Sequence, residues 1–193
     1  MRLYCATGNA GKLREFRLAA GQSGVEVVAL PGLSGLAACE ETGLTFEENA
    51  VLKAEYYGRC ADGLLFADDS GLEVDALSGA PGVLSARYAG AEGSGADAAN
   101  NRLLLENLKS VQNRMARFVC VIALADGGKV GRTFRGVVEG RILDAARGGE
   151  GFGYDPLFYY EALGRSFGEL AVQEKLAVSH RGKALTALFE FVK

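Results

Sequence analysis

Two adjacent aspartates, Asp68 and Asp69, follow directly on the apolar run Leu64-Leu65-Phe66-Ala67 and precede Ser70-Gly71. Like charges side by side cost stability unless a cation sits close by, so the pair is a candidate for base or metal chemistry. The run reads as a short strand ending at Asp68, and α/β sheets hold their ligands at the carboxyl ends of strands. A second acidic segment, Cys39-Glu40-Glu41-Thr42-Gly43, offers a further carboxylate. Magnesium takes one or two carboxylates together with phosphate oxygens and water, and one from each segment meets that need. The plainer alternatives are solvated charges at Glu40 and Glu41 and an ordinary Asp-Ser-Gly turn.

Phosphate chemistry is suggested at the other end of the same half of the chain. Thr7-Gly8-Asn9-Ala10-Gly11-Lys12 follows the apolar Leu3-Tyr4-Cys5-Ala6. It reads as a strand, a glycine turn and a helix start, whose unpaired N–H groups and partial positive charge suit phosphate oxygens. Lys12 would add a point charge, and Thr7 and Asn9 short polar contacts. It is not a P-loop, because the spacing is too short and Leu13 stands where Ser or Thr should bind magnesium.

Two later segments complete the set. In Gly149-Glu150-Gly151-Phe152-Gly153-Tyr154-Asp155-Pro156 the glycines allow close backbone approach. Phe152 and Tyr154 offer flat faces for a base, or two aromatics for the core. Glu174 to Arg181 supplies Lys175 and Arg181 for phosphate or a base edge, and His180, the one histidine of the chain. Ser179 would cap a helix whose start presents His180 and Arg181 as donors.

These groups need elements to carry them. Leu13, Phe16 and Ala20 recur at helical spacing before Gly21, and Val25 to Leu30 reads as a second strand. Thr45-Phe46-Glu47-Glu48 has the form of a capping box opening a helix to about Gly58, with Phe46, Ala50, Ala54 and Tyr57 on its buried face. A glycine-rich, flexible-looking stretch (90–95) precedes a helix over about 96–108. Phe118 to Ala125 and Val130 to Val138 flank Asp126-Gly127-Gly128-Lys129, a hairpin signal. Leu157 to Tyr160 reads as another strand, and the end from Ser179 as a helix burying Leu185, Leu188 and Val192. Helices alternating with strands and then a hairpin predict an α/β fold with a mixed sheet.

Composition narrows the class. The chain has 193 residues, 49% hydrophobic and 23% charged, enough for one domain or one domain with a second lobe. A net charge of −3 gives no general attraction to nucleic acid or to anionic membranes, so neither is expected as a partner. Cys5, Cys39, Cys60 and Cys120 are widely spaced and predict free thiols in a reducing cytoplasm. No signal peptide or membrane span is expected.

Taken in order, Thr7-Gly8-Asn9-x-x-Lys12, Glu40-Glu41-Thr42-Gly43, Phe66-Ala67-Asp68-Asp69-Ser70-Gly71-Leu72, Ala80-Pro81-Gly82-Val83-x-Ser85-Ala86-Arg87-Tyr88, Gly151-Phe152-Gly153-Tyr154-Asp155-Pro156 and Ser179-His180-Arg181-Gly182 resemble the inosine/xanthosine triphosphate pyrophosphatase family. The match runs from residue 3 to about residue 190. It implies a homodimeric, two-lobed α/β enzyme with a long mixed sheet and a nucleotide cleft between the lobes. It also implies magnesium-dependent hydrolysis of deaminated purine nucleoside triphosphates to monophosphate and pyrophosphate.

Carried over by resemblance, Thr7, Gly8, Asn9 and Lys12 hold the triphosphate, Asp69 is the metal-associated carboxylate that activates water, and Ser70 touches substrate. Phe152, Gly153, Tyr154 and Asp155 form the base pocket, and Lys175, His180 and Arg181 close on phosphate and base. For the second metal ligand the Glu-x-x-Gly spacing points to Glu40, and the count back from the following helix to Glu41. One departure is Gln173, where the family is often acidic. Donors such as His180 and Arg181 would reward the 6-keto oxygen of hypoxanthine or xanthine over a 6-amino group, a discrimination of roughly 10⁴-fold. The alternatives are a related pyrophosphatase for pyrimidine or modified nucleotides, and a nucleotide-binding module that does not hydrolyse.

Overall fold

The computed structural model describes residues 1–21, 23–91 and 93–193. Glu92, in the stretch read as flexible, lies outside the described residues. Seven strands form one mixed sheet in the order β2-β1-β3-β4-β5-β6-β7. These are β1 (Arg2–Cys5), β2 (Glu26–Ala29), β3 (Leu65–Val74), β4 (Met115–Asp126), β5 (Lys129–Ile142), β6 (Phe158–Tyr160) and β7 (Arg165–Ser166). β1 runs parallel to β2 and β3, whereas β6 is antiparallel to β5 and β7. The helices are α1 (Ala10–Ala20), α2 (Phe46–Gly58), α3 (Ala96–Asn107), α4 (Val172–Val178) and α5 (His180–Phe191).

Local chemistry explains the boundaries. Asn9 caps α1 by accepting from the Lys12 amide at 3.0 Å, and Gly21 ends it. The capping box of α2 is complete: Thr45 Oγ1 accepts from the Glu48 amide and Glu48 Oε2 from the Thr45 amide, both at 3.1 Å. Gly127 and Gly128, with φ of 56° and 81°, make the two-residue turn between β4 and β5 that only positive φ at both positions permits. One expectation fails. β3 does not stop at Ala67 but continues through Asp68, Asp69 and Ser70 to Val74. Its pairing with β1 covers only Leu65 and Phe66, so the aspartates stand just beyond the end of the parallel ladder. Two elements went unread: α4, a helix of only 7 residues, and the 2-residue β7.

The chain divides into two compact units. The first comprises 1–69, 120–136 and 180–193, and the second 70–119 and 137–179. Each has its own core. Leu3, Phe16, Phe66, Ile122, Leu185 and Leu188 belong to the first, and Leu72, Leu104, Phe118, Ile142, Phe158 and Phe167 to the second. Among the described residues no helix is long and apolar enough to cross a membrane.

All four thiols are free, and burial pushes those of Cys5 and Cys120 up to about 12. A maleimide at pH 8 should therefore modify the exposed Cys60 in the native protein and reach Cys5 and Cys120 only after unfolding. Peptide mapping reads the outcome, and rapid native labelling of Cys120 would contradict this core.

Candidate active site

In the first unit the two aspartates each have their own cation. Asp68 Oδ2 lies 2.8 Å from Lys12 Nζ, and Asp69 Oδ1 lies 2.9 Å from Lys53 Nζ. Successive strand residues point to opposite faces of a sheet, so the cations must come from different helices. Lys12 stands on α1 and Lys53 on α2. Burial pushes the Asp68 carboxyl up, but Lys12, Arg181 and Lys53 overcome it and hold it below the usual carboxylate range. Asp69 goes the other way: burial outweighs Lys53 and Lys12, Glu41 adds repulsion, and its carboxyl is raised. One aspartate is thus a fixed counter-ion, and its neighbour a more basic, partly desolvated carboxylate.

Lys53 was not picked out from the sequence. Its ammonium also reaches Glu41 Oε2 at 3.4 Å, so two carboxylates from distant segments converge on it. Burial lowers its pKa, and Asp69, Asp68 and Glu41 more than restore it. Asn49, one helical turn earlier and wholly buried, ties the same parts together. Its Oδ1 accepts from the Gly43 amide at 2.8 Å, and its Nδ2 donates to Asp69 Oδ2 at 3.4 Å. Gly43 is required there, since a Cβ would stand 2.6 Å from Glu48 Cβ and 2.7 Å from Asn49 Oδ1. The signal in the sequence was a polar pair at i and i+4, Asn49 and Lys53, beside the apolar Ala50 and Ala54. Of the two glutamates left open, Glu41 is the one brought to Lys53, while Glu40 is exposed.

The loop 7–12 forms the turn and helix start that its sequence suggests. Thr7 Oγ1 accepts from the Asn9 amide at 3.2 Å, and the Asn9 cap spends its Oδ1, so its amide N–H groups are what it can offer an anion. Gly8 is exposed beside them. Lys12 has three N–H donors, of which Asp68 takes one. Glu15, one turn after Lys12, forms a buried ion pair with Arg181, Nη1 to Oε2 at 2.5 Å. Arg181 stays charged: burial lowers its pKa, and Glu15 leads the groups that raise it above the usual value. His180 is buried at the first residue of α5.

In the second unit the loop 151–155 is braced rather than loose. Asp155 Oδ2 accepts from the Phe152 amide at 2.9 Å and from Lys175 Nζ at 2.6 Å. The Lys175 ammonium also lies 4.8 Å from the centre of the Phe152 ring. Lys175, expected on phosphate or a base edge, lies against this loop. Gly151, at φ 78°, cannot carry a side chain, because a Cβ would strike Asp155 Oδ2. The aromatics separate into two roles. Tyr154 is 4% exposed, packs in the core and donates its hydroxyl to the Ser85 carbonyl at 2.8 Å. Phe152 is half-buried, with the Lys175 ammonium against its ring. Ser70, in β3, is half-buried.

The model of the Ham1 family matches residues 3–191. The chain belongs to the Ham1 family. It is 51% identical over 195 aligned positions to a dITP/XTP pyrophosphatase of Acidobacterium capsulatum, covering 97% of this chain and 96% of that one. A relative of the same name from Thermus thermophilus is 46% identical, with 100% and 92% covered. The Ham1 protein of Coxiella burnetii superposes with a TM-score of 0.87 at 38% identity, covering 100% of this chain and 98% of its own. The resemblance read from the motifs and the α/β fold with a long mixed sheet both stand.

The Lys53–Asp69 pair can be measured directly. Lys53→Met leaves two largely buried carboxylates without their cation and should cost about 3 kcal/mol in denaturant unfolding. In an Asp69→Asn background the same change should cost at least about 1 kcal/mol less. Equal costs in both backgrounds would mean that the two side chains are not coupled.

Proposed function

We propose that this chain is a metal-dependent pyrophosphatase of the nucleotide pool that hydrolyses deaminated purine nucleoside triphosphates, dITP, ITP and XTP, to the monophosphate and pyrophosphate. Full-length similarity to dITP/XTP pyrophosphatases supports the reaction. The observation that carries the mechanism is Asp69, a buried carboxylate of raised basicity paired with the Lys53 ammonium, which Glu41 also meets.

Asp69 takes a proton from the water that attacks the α-phosphorus, the bond to the bridging oxygen breaks, and pyrophosphate leaves. A carboxyl raised above its ordinary range is the better base for that step, and the Lys53 ammonium favours its ionised form. The amide N–H groups at the start of α1, with Asn9, Thr7 and Lys12, grip phosphate oxygens and counter the charge of the leaving group. Asp68 fixes the Lys12 ammonium for this task.

Glu41 and Asp69 fit magnesium, since two convergent carboxylates match what that ion takes from a protein, and when bound it supplies charge neutralisation and a more acidic water. Phe152 stacks on the purine, with Tyr154 and Asp155 holding the loop and Lys175 securing both. His180 and Arg181 favour the 6-keto edge. Ser70 and the backbone of Gly8 and Gly153 complete the contacts. The working form is a homodimer in the cytoplasm, a reading supported by family resemblance and by four free thiols.

Asp69→Asn should bind nucleotide but lower kcat by about 10²-fold or more. Near-normal turnover would overturn Asp69 as the base.

Pyrophosphate release from dITP, XTP, dUTP, GTP and ATP, with and without magnesium, tests the substrate class. Preference for dITP and XTP, lost in chelator, is expected. Faster dUTP cleavage would favour a pyrimidine enzyme, and nucleotide binding without product a sensor.

A further inference from the structure

Two α3 side chains grip the base-facing loop at a point that no other brace reaches. The Gly153 amide donates to Asp97 Oδ2 at 2.7 Å, and its carbonyl accepts from Asn101 Nδ2 at 2.9 Å. Asp97 and Asn101 are four residues apart on α3 and so lie side by side on one face of it. Both backbone polar groups of Gly153 are thereby committed, at a residue held at φ 62°.

The frame behind them is fixed. Asn100, the next position on α3, accepts from the Ala89 amide at 2.8 Å and donates to the Ser85 and Ala86 carbonyls at 3.3 and 3.2 Å. Tyr154 donates to that same Ser85 carbonyl. Asp155 holds the Phe152 amide and Tyr154 is anchored on the Ser85 carbonyl, whereas the peptide groups of Gly153 between them depend on α3.

Stability does not explain this arrangement. Asp97 is exposed, where a hydrogen bond adds little to folding. Asn101 Oδ1 is buried with no hydrogen-bond partner among the described residues, which is unfavourable. The asparagine is kept in spite of its oxygen, for what its N–H groups do to Gly153.

We propose that Asp97 and Asn101 are positioning residues that latch Gly153 and so set the pocket that discriminates one purine from another. The proposal rests on loop 151–155 being the base-recognition loop. With the latch closed, the Gly153 peptide groups are held by α3 and Phe152 meets the base in one fixed register. With it open, the loop admits bases at varied depth, and binding weakens while the chemistry at Asp69 is untouched.

The test compares Asp97→Ala, Asp97→Asn, Asn101→Ala and Phe152→Ala by pyrophosphate release from ITP, GTP and ATP, with Tm for each. Asp97→Ala and Asn101→Ala should raise KM for ITP about 5- to 10-fold, cut the ITP/GTP ratio of kcat/KM by a similar factor, and leave kcat within about twofold. Asp97→Asn loses the charge but keeps an acceptor for the Gly153 amide, so it should hold KM within about twofold. That separates the latch from a favourable charge at the start of α3. If Phe152→Ala alters KM and selectivity but the α3 alanine variants do not, the latch is wrong and the loop reading stands. If Phe152→Ala alters neither, the loop reading fails and the latch with it. A fall in kcat and Tm without a change in KM or selectivity would make Asp97 and Asn101 plain structural supports.

Discussion

Two neighbouring carboxylates inside one strand are the constraint on which the first unit is built. The two carboxylates do not contact the same ammonium, because the strand turns them to opposite faces. Each face must therefore bring a helix with a lysine at the right turn. α1 does so with Lys12 just behind its cap, and α2 with Lys53 two turns after its capping box. The caps thus set the phase of both helices and, with it, where the ammonium groups fall. Asn49 extends the same logic to the acidic segment, anchoring Gly43 with one end of its amide and touching Asp69 with the other. Glu15 and Arg181 extend it to α5, whose first turn is locked onto the helix that carries Lys12.

The second unit repeats the device on a loop. Lys175 and Asp155 are both almost wholly buried and 2.6 Å apart. Such a pair contributes little net stability over an apolar replacement, but losing one member strands the other. Its value is geometric: the same carboxylate oxygen that meets Lys175 also receives the Phe152 amide. A glycine-rich loop, which would otherwise sample many backbone states, is reduced to one.

Much of this was legible in the sequence, for reasons that can be named. Helix starts were readable because Asn9 and Thr45 cap through local hydrogen bonds, and the Gly127-Gly128 hairpin because its φ values admit little else. The need for cations beside Asp68 and Asp69 was readable from charge alone. Their source was only half readable. Lys12 sits in a recognisable loop, whereas Lys53 lies inside a helix among Glu47, Glu48 and Glu55 and resembles a solvated charge. The length of β3 was missed because adjacent aspartates are poor strand formers, and distant lysines overrule that preference. Whether Tyr154 stacks on a ligand or fills the core depends on where Ser85 lies, 69 residues away. Composition carries no such information.

These placements share an energetic character. Burial raises the Asp69 carboxyl above its ordinary range, Lys175 and Asp155 are desolvated together, and Asn101 keeps an acceptor with no hydrogen-bond partner among the described residues. Each of these carries a desolvation cost. The surrounding cores of Phe16, Phe66 and Leu188 in one unit and Phe118, Phe158 and Phe167 in the other offset that cost. A hydrolase of charged nucleotides needs desolvated groups already aimed, because reorganising them during reaction would raise the barrier. Groups that carry a desolvation cost are therefore expected at positions where charge develops or a base is read.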